Sequence, residues 1–141
     1  MHKIILTLLS LIALTILQAQ PNIQAILTEG IPATRDDIYV ELQDDEGNLS
    51  SIPVSIIKGK EGGPVFTIIA GVHGVEYSSI IAAYDLLKEI DAAQLKGTLI
   101  IIPLANPSAF YGRTPFLNPQ DNLNLNRVFP GSEDGSITEQ I

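Results

Sequence analysis

The apolar run Val65-Phe66-Thr67-Ile68-Ile69-Ala70 stops on Gly71-Val72-His73-Gly74-Val75-Glu76, and a segment with helical periodicity follows at once. No other stretch restricts the fold as strongly. A short continuous apolar run bounded by turn residues reads as a strand covered on both faces, as in a parallel sheet. After it, Ser78 or Ser79 can cap a helix. Ile80, Ala83, Tyr84 and Leu87 then fall at i, i+3, i+4 and i+7, an apolar stripe that Ile90 extends. Asp85 and Glu89 take the opposite face. Leu95-Lys96-Gly97 closes the helical region, and Thr98-Leu99-Ile100-Ile101-Ile102-Pro103 is a second continuous apolar run. Strand, helix and strand make a βαβ unit, right-handed by rule. Ligands of such units gather at the carboxyl ends of the strands. His73 and Glu76 lie just past one such end, and Asn106 just past the next.

Upstream, Ile38-Tyr39-Val40-Glu41-Leu42 alternates and is rich in β-branched and aromatic residues, so it reads as a strand. Asp44-Asp45-Glu46-Gly47-Asn48 is a polar turn, and Ser51 to Ile57 alternates back, giving a hairpin. Pro53 lacks a donor and puts the second strand at an edge or a gap in the ladder. Residues 22–35, with Gly30 and Pro32, form a lead-in of no clear period.

The first residues read as a targeting segment. His2-Lys3 is a short basic start, Ile4 to Leu17 is mostly apolar, and Gln18-Ala19-Gln20-Pro21 ends the run. The length is short for a membrane span and suits a signal-peptide core. Residues 1–19 are therefore expected to be a signal peptide, and 20–141 a secreted or periplasmic chain with no stable membrane span after cleavage. The alternative is an uncleaved anchor. The formal net charge is -8. A nucleic-acid surface needs a basic field, so none is expected. With no cysteine, any metal must be held by nitrogen and oxygen.

Imidazole and carboxylate are both good zinc ligands, and a tight turn can aim His73 and Glu76 at one point. The same spacing also suits a surface histidine beside a glutamate that favours a helix start. Beyond Leu104 the chain is rich in Asn, Pro, Gly and Asp. Roughly thirty aperiodic residues argue for a functional loop or for short elements that periodicity does not reveal. Arg113, Asn126 and Arg127 lie there. Planar guanidinium and amide groups suit a substrate carboxylate, and an Arg near a metal can stabilise an oxyanion. Each Arg also reads as a solvated loop charge. Asp121, Asn118, Asn122 and Asn124 suit turns through bonds to the backbone. Ser136 and Glu139 fit a capping box. The helix they open reaches only Ile141, which suggests the front part of a longer protein.

Gly71-Val72-His73-Gly74-Val75-Glu76 resembles the first zinc-ligand motif of the succinylglutamate desuccinylase/aspartoacylase family, relatives of the zinc carboxypeptidases. Asn106-Pro107-Ser108-Ala109-Phe110, then Arg113, then Asn124-Leu125-Asn126-Arg127-Val128-Phe129-Pro130-Gly131 match that family's following blocks in order. The resemblance implies that His73 and Glu76 bind Zn2+, that Arg113 polarises the scissile carbonyl, and that Asn126 and Arg127 hold a free carboxylate of the substrate. It implies an α/β fold: a three-layer α/β/α zinc-carboxypeptidase-like arrangement with a mixed sheet, truncated here and preceded by the β-hairpin. The activity implied is hydrolysis of an amide bond in an N-acyl amino acid or a related small carboxylate. A secreted metallocarboxypeptidase acting on peptides and an inactive carboxylate-binding fragment are the alternatives. The family's third zinc ligand, a downstream histidine, and its general-base glutamate have no counterpart in this sequence.

Overall fold

The computed structural model describes residues 23–141. The expected signal peptide at 1–19 lies outside the described residues. The elements run α1 (Ile23–Glu29), β1 (Thr34–Gln43), β2 (Leu49–Lys58), β3 (Glu61–Ile69), α2 (Tyr77–Glu89), β4 (Lys96–Ile102), α3 (Pro107–Gly112), α4 (Leu125–Val128) and α5 (Ile137–Gln140). A 3-10 turn, Ala92–Gln94, links α2 to β4. The lead-in thus holds a helix, α1, that the sequence pattern does not reveal.

The strands form one four-stranded mixed sheet in the order β1-β2-β4-β3. β1 and β2 are the expected hairpin, antiparallel from Thr34↔Lys58 to Gln43↔Leu49. The hairpin is an integral part of the sheet, because β2 also pairs antiparallel with β4 from Ser55↔Ile101 to Lys58↔Thr98. Pro53 lies outside that second ladder, so a central strand tolerates its missing donor. The turn between β1 and β2 is built by Asp44, whose carboxylate accepts the Glu46 N–H at 3.1 Å and the Asn48 N–H at 2.8 Å. β3 and β4 pair in parallel across α2, from Val65↔Thr98 to Ile69↔Ile102. The βαβ unit is therefore present.

Both faces of the sheet carry helices. On one, Ile80, Ala83 and Leu87 of α2 are buried, and Ala83 and Leu87 share a core with Ile57, Ala70, Leu99 and Ile101. On the other, Ile52, Val54 and Ile56 are covered by Ile23, Ile26 and Leu27 of α1 and by Ile141. Ile56, Ile57 and Ile101 are among the largest fully buried side chains. Each contributes on the order of 1.5–3 kcal/mol of burial. Helix, sheet and helix are the three layers expected.

Three sequence expectations are corrected. β3 is not covered on both faces: Val65, Phe66 and Ile69 are 59%, 64% and 45% exposed. Among the described residues β3 is the outer strand, paired only with β4, and only Ile68 and Ala70 turn toward the α2 core. The cap of α2 is neither Ser78 nor Ser79. The helix starts at Tyr77 with Glu76 in the N-cap position, and the Ser79 hydroxyl donates back to the Glu76 carbonyl at 2.9 Å. The apolar stripe is also narrower than the spacing predicts, since Tyr84 is 42% exposed.

Candidate metal centre

The site is built where β3 gives way to α2. The parallel ladder runs past the strand ends: Ala70 N–H donates to Ile102 O at 2.9 Å, Ala105 N–H to Ala70 O at 2.9 Å, and Asn106 N–H to Gly71 O at 3.0 Å. Gly71 turns with φ +66, and a β-carbon there would come within 2.9 Å of Ile80 and Leu104 side-chain carbons. Only glycine meets both conditions. Asn106 is fully buried and works from the other side. Its side-chain oxygen accepts the Ala109 N–H at 3.0 Å, and its amide reaches the Val72 carbonyl at 3.4 Å. The residue past the end of β4 thus caps α3 and steadies the turn that carries His73.

His73 and Glu76 face each other. His73 Nδ1 lies 2.8 Å from Glu76 Oε1, the His73 N–H donates to Glu76 Oε2 at 3.3 Å, and Glu76 N–H returns to His73 O at 3.3 Å. The imidazole is mostly covered, its side chain 16% exposed, while the carboxylate is 37% exposed. Phe116 packs edge-to-face on the ring, centroids 5.5 Å apart. The second ring nitrogen, Nε2, lies 3.1 Å from Asn124 Oδ1.

This pair fits two positions of a zinc site. Ligands bound tetrahedrally at zinc–nitrogen and zinc–oxygen distances near 2.1 Å stand about 3.4 Å apart. The observed 2.8 Å separation is that of a hydrogen bond and would open by about half an ångström around an ion. Both donor atoms already point at one another from the same turn. No group of three or more His, Cys, Asp or Glu gathers to hold a metal among the described residues. A third protein ligand would therefore have to come from elsewhere.

The expected substrate residues flank the pair. Arg113 is the C-cap of α3 in left-handed backbone, φ 55, next to Thr114, whose carbonyl oxygen would meet a β-carbon on Gly74. Its side chain is exposed and makes no hydrogen bond or ion pair among the described residues. Asn126 and Arg127 lie in α4, both exposed, and among the described residues the Arg127 guanidinium donates only to Asn126 O, at 3.0 Å. Neither guanidinium bonds to His73 or Glu76. Phe110 packs edge-to-face on Tyr77 and on Tyr111, which is 76% exposed.

Loop residues 118–138 are held by carboxylates. Asp121 accepts Thr138 Oγ1 at 2.7 Å, Thr138 N–H at 2.9 Å, Ser136 Oγ at 2.8 Å and Leu123 N–H at 3.1 Å. Burial opposes the charge of Asp121, and these bonds outweigh it, leaving the carboxyl below its ordinary value of 3.8. Asp44 reaches the same helix, accepting the Ile137 N–H at 3.0 Å. The Asn48 amide foremost, then burial against it and backbone donors with it, leave Asp44 lowered too. Ser136 N–H donates to Glu139 Oε2 at 3.0 Å, as the capping-box pattern predicts. Asn118 and Asn124 also serve turns, accepting Gln120 N–H at 3.0 Å and Asn126 N–H at 2.9 Å. The reach of Asn124 to the His73 ring is what sequence reasoning missed. No local pattern announces a contact between residues so far apart in the chain.

The family model for the succinylglutamate desuccinylase/aspartoacylase catalytic domain matches residues 62–141. Over 91 residues the chain is 43% identical to the N-alpha-acetyl-L-2,4-diaminobutyric acid deacetylase of Halomonas elongata, covering 64% of this chain and 26% of that protein. Among solved structures, an aspartoacylase family protein from Mesorhizobium loti is similar, with TM-score 0.70, 35% identity, and coverage of 78% of this chain and 34% of its own. The product-bound ectoine utilization protein EutE (DoeB) of Ruegeria pomeroyi is similar with TM-score 0.64, 32% identity, and coverage of 78% and 35%. The chain thus spans about a quarter to a third of the length of these relatives.

Proposed function

The chain belongs to the succinylglutamate desuccinylase/aspartoacylase family, and from that premise we propose that it forms the front part of a zinc-dependent hydrolase that cleaves the amide bond of an N-acyl amino acid or a related small carboxylate. The observation that carries this reading is the convergence of His73 Nδ1 and Glu76 Oε1, 2.8 Å apart. Bound zinc would supply Lewis acidity and a water acidic enough to ionise near neutral pH. His73 and Glu76 would hold it. Arg113, unpaired and exposed beside the turn, would donate to the carbonyl oxygen of the scissile amide and draw electron density from its carbon. Asn126 and Arg127 would grip the free carboxylate of the substrate, fixing which bond lies near the metal. Phe116 against the imidazole limits water on that side. The Halomonas relative is named as a deacetylase of an N-acetylated amino acid, which favours that substrate class. Secretion or a periplasmic address remains part of the proposal.

A second reading is a carboxylate-binding chain without a competent metal. It is favoured by the two-donor set among the described residues. One experiment separates the two. The coding sequence beyond Ile141 is read for an in-frame histidine and glutamate, and the resulting protein is assayed for amine release from N-acetyl and N-succinyl amino acids with and without a chelator. The hydrolase reading expects both residues and chelator-sensitive release. A stop codon with no release supports the binding chain instead.

A further inference from the structure

One oxygen atom joins the metal pair to the substrate loop. Asn124 Oδ1 accepts the backbone N–H of Asn126 at 2.9 Å, and the same atom stands 3.1 Å from His73 Nε2. The first bond identifies the atom. A backbone N–H can only donate, so the partner must be the carbonyl oxygen of the amide and not its nitrogen. An amide carbonyl oxygen cannot donate, so a hydrogen bond at the second contact requires that His73 Nε2 carries the hydrogen. The other ring nitrogen, Nδ1, faces Glu76 Oε1 across 2.8 Å, a contact between two groups that both accept unless a proton or a metal ion lies between them.

We propose that Asn124 is a positioning residue for His73: its side-chain oxygen selects the tautomer and orientation that present Nδ1 to the metal, while capping the turn that carries Asn126 and Arg127. This deepens the metal-site reading above and rests on it. Histidine ligands characteristically donate their second N–H to an oxygen, and losing that partner weakens metal binding about 10- to 100-fold. A carboxylate in that place raises ligand basicity more than an amide does. Asn124 is therefore the weaker of the two natural choices. The arrangement also couples the two halves of the site. A shift of the imidazole moves the atom that caps α4, and with it the backbone of Asn126.

The test uses two substitutions in the whole chain. Asn124→Ser keeps an N-cap oxygen of equal quality, but its short side chain does not reach the ring. Asn124→Asp keeps both contacts and adds charge. The first readout is the His73 ring N–H resonance in nitrogen-correlated spectra. The chain has only two histidines, so His73→Ala assigns the signal. The second readout is zinc affinity by competition with a chromophoric chelator. The wild type and Asn124→Asp are expected to show a slowly exchanging Nε2 proton, and Asn124→Ser to lose it. Zinc Kd is expected to rise about 10- to 100-fold in Asn124→Ser and to fall in Asn124→Asp.

An unchanged ring proton and unchanged Kd in Asn124→Ser overturn the proposal while the zinc reading stands. If circular dichroism shows Asn124→Ser unfolded, Asn124→Asp decides, and an equal or higher Kd there overturns the proposal. If the wild type binds no zinc yet the ring proton vanishes in Asn124→Ser, Asn124 positions His73 and the zinc reading fails.

Discussion

A β-carbon on Gly74 would stand 2.3 Å from the carbonyl oxygen of Thr114 and 2.4 Å from that of Ala109. The turn holding His73 and Glu76 is therefore pressed directly onto the end of α3, and α3 cannot move away without losing its cap. That closeness sets the distance from His73 and Glu76 to the loop of Arg113.

Gly74→Ala should accordingly be costly, because the colliding atoms are backbone and cannot rotate aside. Overpacking of this kind typically costs about 1–3 kcal/mol. Urea unfolding of the purified chain should show a lowered midpoint, and zinc affinity should fall with it. An unchanged midpoint would mean that the turn is not packed against α3.

Asp121 should make the chain acid-sensitive. Its carboxyl is held below 3.8 in the folded chain, with burial opposing and the Thr138, Leu123 and Ser136 hydrogen bonds prevailing. A depressed folded pKa contributes stability that is complete above the unfolded value, near about 3.9. That contribution is lost as pH falls through the folded value. Asp121→Asn should lower stability at pH 7 by about 1–2 kcal/mol, discounted for the partial exposure of the site. It should also flatten the acid limb of a stability-versus-pH profile. An acid limb as steep as that of the wild type would assign the effect to other carboxylates.

The outer edge of β3 should make the chain associate. Val65, Phe66 and Ile69 are exposed on a strand paired on one side only, and such edges template further pairing. Phe66→Lys should suppress concentration-dependent association in sedimentation velocity. Because Phe66 is 64% exposed, the substitution should change monomer stability by less than about 0.5 kcal/mol. Association at the wild-type level would remove β3 from that role.

Under the proposed hydrolase reading, Arg127→Ala in the active enzyme should raise KM about 10- to 100-fold for a substrate with a free carboxylate, with kcat little altered, since the lost contact holds substrate and transition state alike. An N-acyl amino acid amide, lacking that carboxylate, should show almost no change. A fall in kcat with KM unmoved would transfer Arg127 from binding to chemistry.

These residues also show what a sequence can and cannot disclose. The β1–β2 hairpin and α2 were legible from their local periods, and β3 and β4 from short continuous apolar runs bounded by turns. The burial of β3 was not, because an apolar run records what a strand can bear and not which neighbours it has. α3 and α4 are too short for a period to emerge. They are set by Asn106 and Asn124, whose caps depend on backbone geometry. His73 and Glu76 meet because a glycine turn brings nearby residues together. The contact of His73 with Asn124 arises only after the strands have folded the chain back on itself.

The most direct test of the shared metal pair is zinc content after equilibrium dialysis, measured by elemental analysis for the wild type, His73→Ala and Glu76→Ala. In a full-length form that supplies the third ligand, stoichiometric zinc in the wild type and its loss from both variants is the expected result. Zinc retained at wild-type stoichiometry by His73→Ala would contradict the account.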